Sequence, residues 1–255
     1  MSDAAPVNEG RRIKSLDVMR GFAVLGILAV NALYFSAPWQ AGMNPGLAPW
    51  AVTENAFAAW FAMHVFFEFK CITLFSILFG ASLYMVGGER EDKARGAVLR
   101  RRLFWLLLFG LIHALLIWYG DILFTYALTG FLVMFARSWR ARNLLTVGAV
   151  LFAASVLLGG LLGLLWDVVP AAKIDSLRAV LWALPADVLA EKQARYQAGA
   201  LSATLANIEG WLEFVQGGLI SLMLRTAGVM MIGMALFKAG FLSGNAPRWA
   251  YWAML

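Results

Sequence analysis

The stretch Arg100–Tyr126, RRRLFWLLLFGLIHALLIWYGDILFTY, decides how the chain is read. Three arginines open it, and from Leu103 to Tyr119 the only Asp, Glu, Lys, Arg or His is His113. A run this long and apolar predicts a membrane-spanning helix. It closes on Gly120-Asp121, a turn signal, and a second apolar run follows. An ionisable group in lipid is costly, so His113 is expected to face a cavity or a partner. That makes it a functional candidate by position. The structural alternative is a histidine that hydrogen-bonds a neighbouring helix.

The remaining composition agrees. Of 255 residues, 62% are hydrophobic and 14% charged, with a mean hydropathy of +0.73, which excludes an ordinary soluble domain. The net charge of +6 does not point to nucleic acid, because the basic residues gather in short clusters between apolar runs, as orientation determinants do. Cys71 is the only cysteine, so it supports neither an intrachain disulfide nor a metal motif, and a packing role is expected. The predicted fold class is all-α: a polytopic membrane helix bundle of about six spans with a cytoplasmic N-terminus.

Residues 1–10 read as a disordered polar tail and 11–255 as a single transmembrane bundle. The spans fall at about 16–36, 68–86, 103–119, 122–136, 144–166 and 211–237. The first apolar run is long and carries Asp17 and Arg20 at its start, so it reads as a retained helix rather than a cleaved leader. Pro38, Pro45 and Pro49 then mark an irregular loop, with Trp39 and Trp50 as interfacial anchors. Ala56–Val86 is too long for one upright span, and its first part, up to about Phe67, reads as a lying or entering helix. Glu89–Arg102 reads as a charged connector. Residues 167–210 are expected to form an external helical lid or rim, with a surface helix over Asp187–Ala206 capped by Asp187. The closing apolar passage, RWAYWAML, stops in mid-run, as expected of a chain cut short or one lacking further helices.

Orientation follows from the basic clusters. Arg11, Arg12 and Lys14 precede the first span, six basic residues separate spans two and three, and Arg137, Arg140 and Arg142 separate spans four and five. Lys238 and Arg248 follow the sixth. These alternate connections share one side, and short-loop lysines and arginines mark the cytoplasm. Gly120-Asp121 and the long polar segment are therefore expected outside.

Depth places the polar residues. His113 lies about 16 Å above Arg102, near mid-bilayer, and Asp121 about 12 Å higher, so on one straight helix the two cannot touch. Glu68 and Lys70 are level with Asp121, while Thr73 and Ser76 approach His113. Arg225 sits at mid-depth on the sixth span, where an arginine needs a carboxylate, carbonyls or an anionic ligand. Arg20 lies low on the first span and Asn31 high, on nearly the same helical face. Together these groups sketch a path through the bundle. Asp17, Arg20 and Arg225 are the candidates for holding an anionic donor. His113 is the candidate general base or nucleophile, and Asp121 at the outer rim is a second catalytic candidate that could also bind a polar acceptor. Asn31, Glu68, Lys70 and Ser76 are the candidates for a polar acceptor. Plainer readings stand beside these: Asp17–Arg20 as an intrahelical ion pair, Glu68–Lys70 as an interfacial pair, and His64 as an interfacial residue. Two histidines at different depths predict no metal site. Gly21, Gly26, Gly80, Gly110, Gly130, Gly228 and Gly233 read as close helix contacts.

Four blocks occur in order: Arg12-x3-Leu16-Asp17-x2-Arg20-Gly21, Lys70-x2-Thr73-Leu74-Phe75-Ser76-x2-Phe79-Gly80, Arg101-Arg102 leading to Gly110-x2-His113 and Gly120-Asp121-Ile122-Leu123-x2-Tyr126-Ala127, and Arg225-x2-Gly228-x3-Ile232-Gly233-Met234-Ala235. Over about Arg12 to Phe241 they resemble the YeiB-like bacterial inner-membrane family. The opening LDxxRG is shared with a wider group of transmembrane acyltransferases, including heparan-α-glucosaminide N-acetyltransferase and the O-acetyltransferases of surface polysaccharides. The resemblance implies transfer of an acyl group from a cytoplasmic donor, acetyl-CoA or another acyl-CoA, to a sugar or similar acceptor across the membrane. His113 matches the central histidine and Arg20 would lie near the donor. No permanently bound cofactor is implied. The expected partners are membrane lipids and a polar envelope acceptor, not nucleic acid, with a homo-oligomer left open. Two other readings remain: a small-anion transporter using Arg20, Arg225 and His113, and a structural subunit whose polar residues join helices.

Overall fold

A computed structural model describes residues 13–36, 38–48, 52–164, 170, 175 and 184–252. The expected tail at 1–10, Pro49, Trp50, and most of 165–183 lie outside the described residues. Every regular element among the described residues is helical. The elements are α1 (Lys14–Ser36), α2 (Trp39–Met43), α3 (Glu54–Phe66), α4 (Lys70–Gly87), α5 (Lys93–Leu116), α6 (Leu123–Val133), α7 (Ala141–Leu164), α8 (Ala186–Gln197), α9 (Ala200–Gly217), α10 (Leu219–Lys238) and α11 (Arg248–Trp252).

Local chemistry sets the boundaries. The Thr53 hydroxyl accepts the Ala56 amide at 3.2 Å and opens α3. The long apolar run then breaks at Phe69, which is left-handed at φ 59°, and α4 starts one residue later. The run thus forms two helices, the second beginning at Lys70 and not at Glu68. Asp92 caps α5 by accepting the Arg95 amide at 3.0 Å. The segment expected as a charged connector is therefore helical from Lys93 onward, being rich in good helix formers behind a cap. The expected surface helix is split at Gly199, where φ is +118°, into α8 and α9. Pro185, not Asp187, occupies the cap position of α8. Trp211–Gly217 belongs to α9, so the last long crossing begins at Leu219 and not at 211.

Among the described residues, four helical stretches are long and apolar enough to cross a membrane: Lys14–Phe35, Glu54–Gly87 with α3 and α4 taken together, Ala141–Leu158 and Leu219–Lys238. The pair α5–α6, expected as two further spans, falls short of that measure. Basic residues occupy much of α5 up to Arg102, which leaves Leu103–Leu116, about 21 Å of apolar helix. The apolar stretch Leu123–Ala136 is similarly short. A hydrocarbon core is about 30 Å thick, so this hairpin turns before crossing it fully if it stands upright. Phe22, Leu25 and Leu28 of α1, Phe109 and Leu116 of α5 and Leu157 of α7 are each more than half exposed, as side chains facing lipid are.

Helix α10 is the central element, packed on α4 and α7 and touching α6. Met230, Met231 and Met234 on it join Leu83, Leu103 and Leu144 in the core. In lipid such packing is held by van der Waals contact and not by exclusion of water, so close backbone approach matters more than apolar area. The basic loops gather at one end. Lys238 Nζ lies 3.2 Å from Glu89 Oε1 and donates to the Trp139 carbonyl at 3.0 Å, and the Arg90 amide donates to Ser138 Oγ at 2.6 Å. Helix α9 sits toward the opposite end, where Asn207 Nδ2 donates to the Ala114 carbonyl at 2.6 Å.

Candidate active site

The site is built by the end of α5. The amides of Ile117 and Trp118 both donate to the His113 carbonyl, at 2.9 and 2.8 Å, so the helix stops on the turn that carries the histidine. The chain then doubles back. Gly110 lets α6 approach, since a Cβ there would lie 2.3 Å from the Phe124 nitrogen, and Gly120 leaves room for Trp118, whose ring a Cβ would meet at 2.3 Å. The turn returns Asp121 to His113: Nδ1 and Oδ1 are 2.9 Å apart. The separation expected for a straight helix is thus cancelled by the hairpin.

Asp121 is 3% exposed. Its Oδ2 accepts the Phe124 amide at 2.7 Å, the pattern of a cap at the start of α6. The His113 contact is short but off the direction of the ring N–H, so it is an ion-pair approach that lacks a well-aligned hydrogen bond. Nδ1 is fully buried although the side chain as a whole is 32% exposed, so the exposure lies on the other ring atoms. Trp118 stands edge-on to the imidazole with ring centroids 6.4 Å apart, and Phe35 of α1 meets Trp118 edge-on at 4.6 Å.

Trp118 also borders a cavity of about 260 Å³ under α8 and α9. Tyr34 and Trp39 line it from the bundle, and Arg195, Glu209 and Glu213 from above. Arg195 grips Glu209 with both terminal nitrogens, at 2.7 and 2.9 Å, which ties α8 to α9 over the opening.

The other sequence candidates form four groups. Arg20 lies 3.3 Å from Asp17 and donates to Ser82 Oγ of α4 at 2.7 Å. Arg225 reaches Thr73 Oγ1 at 3.5 Å and stands over the Phe69 ring at 4.7 Å. Ser82 and Thr73 are nine residues apart on α4, about 13 Å, so Arg20 and Arg225 do not share one anion site. Ser76 bonds Tyr126 at 2.5 Å and donates to the Ile72 carbonyl at 2.8 Å. Glu68 meets His64 at 2.8 Å and Tyr34 at 3.0 Å, and Lys70 donates to the His64 carbonyl at 3.2 Å. No hydrogen bond joins Asn31 to any of these groups among the described residues. Ser82, Tyr34 and Asn207 were not signalled by the sequence, because each gains its role from a partner far away in the chain. Tyr126 stood only within a recurring block. Among the described residues no three His, Cys, Asp or Glu side chains converge as metal ligands would.

Apolar helices around a methionine-rich central rod, with a carboxylate–imidazole pair at a hairpin turn, define a helical membrane protein. Known proteins resemble it. The chain is 32% identical over 247 residues to the uncharacterized protein YeiB of Escherichia coli (strain K12), a match covering 91% of this chain and 57% of that one. It is 42% identical over 152 residues to the uncharacterized protein YxaH of Bacillus subtilis (strain 168), covering 57% and 37%. An uncharacterized 39.9 kDa protein in the amylase 3' region of Bacillus acidopullulyticus is 32% identical over 154 residues, covering 59% and 42%. The chain spans about half the length of the curated relatives it matches, and their likeness supports a YeiB-like family. No family model matches, and no solved structure does.

Proposed function

We propose that the chain serves acyl transfer in a bacterial inner membrane, moving an acyl group from a cytoplasmic thioester to a hydroxyl or amine of an envelope acceptor. The observation that supports this most is the 2.9 Å approach of Asp121 to His113. A buried carboxylate at Nδ1 favours the tautomer that carries its proton there, which leaves Nε2 as the base. The acceptor oxygen or nitrogen attacks the thioester carbonyl while its proton passes to Nε2. The carbon–sulfur bond breaks, and the departing thiolate takes that proton back as a thiol. Poor alignment in the free protein is compatible with such a role, since catalytic hydrogen bonds often tighten only with substrate bound. The cavity supports the reading by offering an acceptor aromatic and carboxylate walls, one of which, Trp118, stands 6.4 Å from the imidazole.

One observation favours small-anion transport instead. Arg225, inside a crossing helix, has no carboxylate within ion-pair distance among the described residues. Replacement of His113 by alanine separates the two. Transfer of labelled acetyl from acetyl-CoA into envelope extract is expected to fall on the order of a hundredfold or more, with the melting temperature in detergent unchanged. Undiminished labelling, or anion flux that survives while no labelled product forms with the unaltered chain, refutes acyl transfer. A variant that simply melts early marks the histidine as structural.

A further inference from the structure

The arginine-rich end of the bundle holds a group that topology alone does not account for. Residues 89–102 and 137–142 carry nine basic residues against Glu89, Glu91 and Asp92. Arginines that set orientation act from exposed positions in loops. Arg137 is instead 5% exposed, sunk into a slot floored by two glycines. A Cβ at Gly87 would lie 3.3 Å from Arg137 Cδ, and one at Gly96 would lie 2.9 Å from Arg137 Nη2.

The hydrogen bonding of Arg137 is incomplete. Nη1 donates to the Met134 carbonyl at 2.9 Å. Nε is buried without a partner, and no hydrogen bond reaches Nη2 among the described residues. Nε is closed in against Gly87, whose Cβ position lies 3.6 Å from it, so Nη2 is the donor that an oxyanion can reach. Arg100 Nη1 is 3.7 Å from the same Cβ position at Gly96, so two guanidinium groups stand within about 7 Å of each other. Neither has a carboxylate within ion-pair distance among the described residues. Glu89, the nearest candidate to neutralise them, is engaged by Tyr84 at 2.7 Å and Lys238 at 3.2 Å. Two like charges this close, one of them buried with an orphaned donor, favour an anion beside them.

We propose that this end of the bundle binds a phosphate group between Nη2 of Arg137 and the guanidinium of Arg100, beside Gly96. The phosphate belongs to a soluble phosphorylated compound or to a lipid headgroup, whose chemistry here is the same. Arg100 stands about 20 Å from His113 along α5, so the site does not rest on the acyl-transfer reading.

The test uses the purified full chain in detergent. Its melting temperature is followed with inorganic pyrophosphate at constant ionic strength, against sodium chloride. In parallel, native mass spectrometry compares retention of phosphatidylglycerol with that of phosphatidylcholine. A soluble source predicts a rise in melting temperature with pyrophosphate, and a lipid source predicts selective retention of phosphatidylglycerol. In either case Arg100→Gln and Arg137→Lys weaken binding on the order of tenfold or more. Arg100 is exposed, so its variant keeps the fold and decides the matter even where Arg137→Lys does not fold. No pyrophosphate shift together with no lipid preference overturns the proposal, as does binding that is undiminished in Arg100→Gln.

Discussion

Asp121→Asn is expected to leave the protein folded and to lower acyl transfer on the order of a thousandfold. The side chain does two things, one with each oxygen. Oδ2 accepts the Phe124 amide, and asparagine caps a helix about as well as aspartate, so that function survives. Oδ1 faces His113, and there the substitution removes the charge that stabilises an imidazolium and frees the ring to take the wrong tautomer. In serine proteases the equivalent exchange costs about four orders of magnitude with the geometry intact. The His113 contact here is less well aligned, so the smaller figure is the expectation. Asp121→Ala removes the cap as well and should cost about 1 kcal/mol of stability in addition. Comparing the two variants by turnover and by thermal denaturation in detergent separates the roles. An Asn variant as active as the parent sinks the catalytic pairing. An Asn variant as unstable as the Ala variant makes Asp121 a structural residue.

Hydropathy is a one-dimensional signal, and what it reports well is which residues lie inside an apolar rod. Helix α1 at Lys14–Ser36 and α4 at Lys70–Gly87 fall within two residues of the spans read from it. It does not report where a rod stops inside an apolar run. Ile117 and Trp118 are as apolar as the residues before them, so the span ran on through Tyr119 and lifted Asp121 away from His113. The two backbone bonds to the His113 carbonyl that end the helix have no compositional mark. The boundary at Gly217-Gly218 had one, a glycine pair, but it was outweighed by the apolar residues from Trp211 on. Burial is hidden in the same way. Arg137, Arg140 and Arg142 are equivalent letters in a basic cluster, and only the fold sinks the first beneath Gly87 and Gly96. Asp17 and Arg20 carried two readings in the sequence, and the structure contains the ion pair together with a tie to Ser82 that neither reading named.

Gly80→Ala and Gly233→Ala, each made singly, are expected to destabilise the bundle by about 3 kcal/mol or more. The two positions mirror each other across the α4–α10 crossing. A Cβ at Gly80 would lie 1.9 Å from the Met230 carbonyl oxygen, and one at Gly233 would lie 2.0 Å from that of Ile77. Because the obstacle is backbone in both cases, no rotamer change relieves it, and the helices themselves must separate. Alanine gains only about 1 kcal/mol over glycine in helix propensity, too little to offset a lost interhelical contact. Gly21→Ala on α1 is the control: nothing lies within 4 Å of its Cβ position, so the same propensity gain should appear there unopposed. The double variant is expected to cost less than the sum of its parts, since one separation admits both methyl groups. Thermal denaturation in detergent of the four variants measures this. Should Gly80→Ala melt with the parent, α4 and α10 do not touch backbone to backbone. The position of Arg225 against Thr73, which that crossing sets, would then be open as well.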